Sequence, residues 1–335
     1  MRVIDVFNHI LPARYSEKVL QVIPDKDMAK RLSKARLLHD IEDRMRMMDQ
    51  WPRYQQLLTA SPPPLELLAL PDASPELARI ANDGLAEICA KWPDKFPAFA
   101  AAVPTNNLDA CLVEIDRAIT QLGARGIQMF TNVNGRPLDD PEFEPIFDRM
   151  AVRYRLPILL HPTRPASVPD YRTERKSKFE VWQVLGWPHD TTVAMARIVF
   201  SGMFDRLPDL KILTHHLGGT APYLAGRLGP LWDQLGSRTS DEDYESLLKS
   251  MKKRPVDYFR MFYGDTVIGG EEAALRCGLS FFGTGHVLFA SDCPFDPEGG
   301  PMFIRENMRA VNGLDIPDGD KRRIFSENAI AMFRL

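Results

Sequence analysis

The chain has 335 residues, 44% hydrophobic, 26% charged and 9% aromatic, a balance that supports a large core and excludes the polar, core-poor class of disordered chains. Its 42 Lys and Arg against 45 Asp and Glu leave a formal net charge of −3, which removes the broad basic field that nucleic acid or an anionic membrane surface attracts. No separate N-terminal apolar segment and no stretch of membrane-spanning length interrupts the sequence, so a cytoplasmic protein with no membrane partner is expected.

Short apolar runs recur along the chain at Val3–Phe7, Tyr54–Thr59, Phe96–Val103, Gly126–Phe130, Pro157–Leu160, Lys211–Thr214, Phe259–Tyr263 and Val287–Ala290. Most are continuous rather than alternating, as strands are when both faces of a parallel sheet are covered. Helical patterns lie between them. Ser74-Pro75-Glu76 opens one with a cap, a first-turn proline and an acid, and Leu112, Ile115, Ile119 and Leu122 space another. Eight such strands without a Gly-rich phosphate turn predict an α/β fold, a (β/α)₈ TIM barrel rather than a doubly wound sheet. Residues 10–52, with the charged run Asp25 to Arg46, and 162–210, with Trp182 and Trp187, are too long for simple turns. These two are expected to be lid-forming insertions after strands 1 and 5. With no linker or repeat in view, residues 1–335 read as one domain. The four cysteines, Cys89, Cys111, Cys277 and Cys293, form no C-x-x-C pair and imply neither a disulfide framework nor a zinc knuckle. Cys293 reads as inert filler.

In a barrel of this kind, chemistry collects at the carboxyl ends of the strands. His9, His161, His216, Asp265 and Asp292 fall there. Imidazole and carboxylate groups from three strand ends suit a divalent ion with open positions for water or substrate. His9, His161 and Asp292 form the candidate set. Each histidine taken singly reads as an ordinary hydrogen-bonded residue; their joint placement argues otherwise.

These residues also carry a resemblance. Ile4-Asp5-Val6-Phe7-Asn8-His9-Ile10-Leu11-Pro12 is similar to the opening D-x-H-x-H-I-L-P of amidohydrolase-superfamily proteins related to aminocarboxymuconate semialdehyde decarboxylase. Leu160-His161-Pro162, Pro188 to Thr192, Phe204 to Lys211, His216-Leu-Gly-Gly219, Gly226-Arg227, Phe262 to Asp265 and Ala290 to Phe295 resemble the same group in order. The resemblance implies a distorted barrel, one Zn or Mn ion and nonoxidative removal of CO₂ from an aromatic or unsaturated acid. It implies His9, His161 and Asp292 as ligands, His216 and Asp292 as catalytic groups, Arg227 as a contact for substrate carboxylate, and a homodimer or dimer of dimers.

The departure is Phe7, which stands where the first metal-binding histidine is expected. Because residues 7 and 9 share a strand face, Phe7 points at the ion beside His9 but ligates nothing. A three-ligand site completed by water, with weaker metal retention, is the expectation. His215 and His216 are adjacent, so alternation lets only one address the mouth. The His216-x-Gly-Gly motif selects His216, so His215 is expected to pack behind the strand, its stepping in for the lost ligand being geometrically awkward. Trp182 and Trp187 either cover an aromatic substrate or pack down their loop, and packing is favoured. Arg44 and Arg46 are expected on an exposed helix face. Three readings follow: a metal-dependent decarboxylase of a small carboxylic acid, a hydrolase or hydratase opening a lactone or amide on the same scaffold, and a metal-free binding protein on a retired enzyme.

Overall fold

The computed structural model describes residues 1–335. Besides a short antiparallel ribbon of Asn132–Val133 and Arg136–Pro137, the strands run in parallel in chain order as β1 (Val3–Ile10), β2 (Tyr54–Ala60), β3 (Ala101–Ala102), β4 (Ile127–Phe130), β5 (Ile158–His161), β6 (Ile212–Thr214), β7 (Tyr263–Asp265) and β8 (Val287–Leu288). β1 and β2 pair in parallel, and the other six form a parallel sheet in the order β8-β7-β6-β5-β4-β3. Backbone bonds join the two groups at both ends. Leu58 of β2 bridges Phe99, and Val6 N donates to Phe289 O at 3.0 Å. Each strand therefore lies beside its neighbour in sequence, as helical crossovers produce. All eight residues of β1 are buried.

Helices fill the outer layer where capping chemistry allows. Ser74–Lys91 starts with Pro75 in its first turn, and Leu108–Thr120 is capped by the Asn107 side chain, which accepts from Ala110 N. A cluster of 55 buried apolar residues packs these helices on the sheet. No helix is long and apolar enough to cross a membrane. All four cysteines are free thiols.

Two expected strands are placed differently. Pro255–Phe259 is helical, because Pro255 at the first position fixes a helical φ, and β7 begins only at Tyr263. Within Phe96–Val103 only Ala101–Ala102 is strand, with Phe99 held by its single bridge. The connection between β1 and β2 holds helices Ala13–Val22, Lys26–Lys34 and Ile41–Met48. Arg46 is exposed as expected, but Arg44 is wholly buried. The Arg44 guanidinium donates to Gln56 Oε1 at 2.7 Å, to Asn8 Oδ1 at 2.7 Å, and to the carbonyls of His9 and Leu37. Charge pattern alone misplaces it, since a guanidinium with enough acceptors tolerates burial.

Glu66, on the short helix Leu65–Leu68 after β2, is buried with Oε1 unpartnered. Burial pushes its carboxyl up to about 7, against weaker lowering by a backbone amide and Thr105. The folded state thus holds a proton that the unfolded chain releases near 4.5, so this residue lowers stability as pH climbs through that window. Glu66→Gln is expected to remove that dependence, raising unfolding free energy at pH 8.5 by on the order of 3 kcal/mol relative to wild type, with little difference at pH 4. Urea unfolding at the two pH values measures it.

A candidate metal centre of histidines and one carboxylate

His9 lies near the carboxyl end of β1, His161 ends β5, His215 and His216 follow β6, and Asp292 follows β8. The first three rings converge. One ring nitrogen from each of His9, His161 and His215 lies within 4.8 Å of the others, and His215, His216 and Asp292 form a second such group. Asp292 Oδ1 is 3.1 Å from His9 Nε2 and 3.4 Å from His215 Nε2. Yet both nitrogens are buried without a properly aligned hydrogen bond, as is His216 Nδ1.

Partner chemistry sets which nitrogen of each ring is free. Thr59 Oγ1 gives its proton to Asn8 O and lies 3.1 Å from His9 Nδ1, so it accepts from that nitrogen. His161 Nδ1 stands 2.6 Å from Pro162 O, which can only accept. The same holds for His215 Nδ1, 2.5 Å from Asp265 Oδ2. Each Nδ1 carries the hydrogen and each Nε2 faces the centre, the orientation that metal-binding histidines take when an outer acceptor holds the far nitrogen.

Burial lowers the pKa of His9 against an opposing pull from Asp292. Burial, joined by neighbouring imidazoles, holds His161 and His216 well below the usual histidine range. These rings are neutral and available as donors. For His215, burial also lowers the value, but Asp265 and Asp292 together outweigh it and raise the group to about 9. Burial raises the Asp292 carboxyl, yet contact with His215 and His9 prevails and keeps it well below the usual carboxylate range. Orphaned imidazole nitrogens gathered about one ionised carboxylate fit a divalent cation.

The amidohydrolase family profile matches residues 4–335. The chain belongs to this family. It is 30% identical over 312 residues to a gamma-resorcylate decarboxylase of Rhodococcus jostii, covering 90% of this chain and 89% of that one. It is 28% identical to 2-amino-3-carboxymuconate-6-semialdehyde decarboxylase of Dictyostelium discoideum over 240 residues, covering 72% and 62%. Among solved structures it resembles dihydroxybenzoic acid decarboxylase from Polaromonas sp. JS666, determined with manganese and the inhibitor 2-nitroresorcinol, with a TM-score of 0.79, 25% identity and coverage of 100% and 97%.

The amidohydrolase centre departs from the expected arrangement at His215. This ring does not pack behind the strand. His215 continues the extended backbone of β6 on the inward face of Leu213, and the next two residues, His216 and Leu217, turn left-handed at φ 55° and 54°, which brings His216 to the centre as well. The two imidazoles therefore lie side by side, their centroids 4.0 Å apart. Gly219 completes the turn, where a Cβ would stand 2.2 Å from Pro188 O. Phe7 does face the centre, stacked on His215 at 4.0 Å and 5.9 Å from both His9 and His161.

Aromatic groups roof the cluster. Phe295 lies 5.6 Å from His9, and Trp187 lies 5.5 Å from His161, with Trp182 edge-on to Trp187 at 5.3 Å. Both tryptophans line a cavity of about 370 Å³ together with Met28, Pro62 and Pro162. Arg31, hidden from sequence reading within a charged run, reaches over this roof. Its guanidinium lies 4.5 Å above Phe295 and 5.5 Å from Trp187, bonded to Gln183 and paired with no carboxylate. Burial lowers its pKa, opposed by Asp292 and Glu180. Arg227 is exposed on the helix Ala225–Trp232, outside this cluster. Thr59 also escaped sequence reading, since a threonine inside a strand carries no signal of its own.

Thr59→Val removes the acceptor that holds His9 Nδ1. Metal affinity, measured by chelator competition, is expected to fall about 10- to 100-fold with the fold retained.

Proposed function

We propose that this amidohydrolase is a metal-dependent nonoxidative decarboxylase of an aromatic or unsaturated carboxylic acid, built as one domain over residues 1–335. The observation that carries the reading is the convergence of buried, partnerless imidazole nitrogens on the Asp292 carboxylate beneath aromatic walls. Relatives named as decarboxylases of resorcylate and aminocarboxymuconate semialdehyde support the reaction class. The backbone links at both edges of the strand array support a closed, distorted TIM barrel, and the long connections after β1 and β5 roof its mouth.

His9, His161 and Asp292 hold a divalent ion in this reading. Mixed nitrogen and oxygen donors accept zinc or manganese, and the Polaromonas relative holds manganese. When bound, the ion supplies concentrated positive charge for the oxygens of the acid. Asp292 Oδ2 has no partner within the chain. Asp292 accepts a proton from a hydroxyl or acid group of the bound substrate and delivers it to the carbon bearing the departing carboxylate. The carbon–carbon bond then breaks, its electron pair returns to the unsaturated system, and CO₂ leaves. His216, neutral and with Nδ1 free, stands beside this path as a hydrogen-bond partner for substrate or water. Trp187 and Phe295 flank the substrate ring and exclude water, while Trp182 supports Trp187.

Arg31 meets the substrate's negative charge, because it is the cation that overhangs the centre without a carboxylate of its own. Arg227 points outward and serves the acid only if a second copy docks in a homodimer that brings it to the neighbouring site. A cytoplasmic setting agrees with the free thiols.

Hydroxybenzoates are expected to release CO₂ while cyclic lactones stay intact; the reverse pattern would establish the hydrolase reading. Asp292→Asn is expected to cut CO₂ release on the order of 10² to 10⁴-fold with circular dichroism unchanged. Undiminished turnover would refute the role of Asp292. Arg31→Met is expected to raise KM by roughly 10-fold or more, with a smaller change in kcat, in steady-state assays of CO₂ release.

A further inference from the structure

The first strand has lost a donor at Phe7, while the sixth is followed directly by two consecutive histidines. We propose that His215 is a direct metal ligand, supplying from β6 the nitrogen that position 7 no longer provides, so that the centre is His9, His161, His215 and Asp292.

His215 stays extended at φ −70° and ψ 157°, which carries its ring inward before the left-handed turn begins at His216. The ring is fixed from two sides. Asp265 accepts its Nδ1–H and is itself held through Oδ1 by the amides of Leu217 and Val267, each at 3.0 Å. Phe7 stacks on its face, 23° from parallel. The side chain that removed one ligand thus orients its replacement. Nε2 is then the nitrogen left to face an ion, fully buried and without a hydrogen bond.

Distances support the assignment. Two donors bound about 2.1 Å from one ion stand roughly 3.0 Å apart at right angles and about 3.4 Å apart in a tetrahedron. Asp292 Oδ1 is 3.1 Å from His9 Nε2 and 3.4 Å from His215 Nε2. A carboxylate at these separations from two imidazoles, aligned for a hydrogen bond with neither, is arranged for a shared third partner. Asp265 in turn is the outer carboxylate that orients a ligating histidine.

The inference rests on the metal site of the proposed function, and its test reads metal binding without substrate. The full-length protein is stripped and reloaded with Zn²⁺ or Mn²⁺ alone. X-ray absorption of the zinc form is expected to show three imidazoles in wild type and two in His215→Gln. Chelator competition is expected to show affinity falling about 100-fold or more in His215→Gln and His215→Ala. Adding Phe7→His to His215→Ala is expected to restore most of it, which a general folding defect would not permit. His216→Ala is expected to leave affinity within about threefold, since His216 has no place in the proposed set. Two imidazoles in wild type, or undiminished affinity in a folded His215→Gln, would overturn the assignment while leaving the decarboxylase reading intact. Failure of wild type to bind either ion would overturn both. Wild type that binds zinc through three imidazoles but releases no CO₂ would overturn only the decarboxylase reading.

Discussion

A buried carboxylate joins the first strand to the segment after the last, and the centre depends on it. Asp5 Oδ1 accepts from the amides of Phe7 and Ser291 at 3.3 and 3.2 Å, while Oδ2 accepts from the hydroxyls of Tyr54 and Ser291 at 2.5 Å each. Tyr54 is held by Gln56 and Gln56 by Arg44, which also grips Asn8. This continuous polar chain ends on Asn8 and Ser291, the residues immediately before His9 and Asp292. An apolar core alone would leave the two free to slide, whereas directional bonds in a low-dielectric interior set their separation. That explains why Arg44 is buried in a segment whose charge pattern looks like surface.

Above that floor the design is one of imidazole donors gathered around the Asp292 carboxylate. Burial strips water from His9, His161 and His216 and disfavours their protonated forms, which keeps their lone pairs available. Asp292 stays ionised because imidazoles surround it. Carbonyl, hydroxyl and carboxylate acceptors behind the rings choose the tautomer. Ligand direction is therefore set before any ion arrives, the preorganisation that catalytic metal sites need.

Phe7 and His215 show how such a centre tolerates a lost side chain. The strands at the mouth all face one point, so a donor removed from one can be replaced from another without altering the backbone plan. What changes is the route of support: the new ring is braced by Asp265 and by the aromatic face of Phe7. The connections after β1 and β5 meet over the same opening, with Arg31 from one and Trp187 from the other.

Much of this was legible in the chain itself. Continuous apolar runs at β1, β2, β4, β5, β6 and β8 marked the strands because burial on both faces demands such runs, and Pro75 and Asn107 marked helix starts because capping is local. His9, His161 and Asp292 stood out because strand ends converge in a parallel array. The part decided only in three dimensions concerns side chains whose direction depends on distant partners. The His216-x-Gly-Gly motif placed His216 at the mouth and His215 behind the sheet, whereas extended His215 faces inward with Leu213 and the left-handed turn at His216 brings both rings to the centre. Arg44 and Arg31 looked alike in a charged segment; one found buried acceptors and the other aromatic faces. Local chemistry determines which elements form, whereas the meeting of residues far apart in sequence determines which lone pairs and charges share a centre.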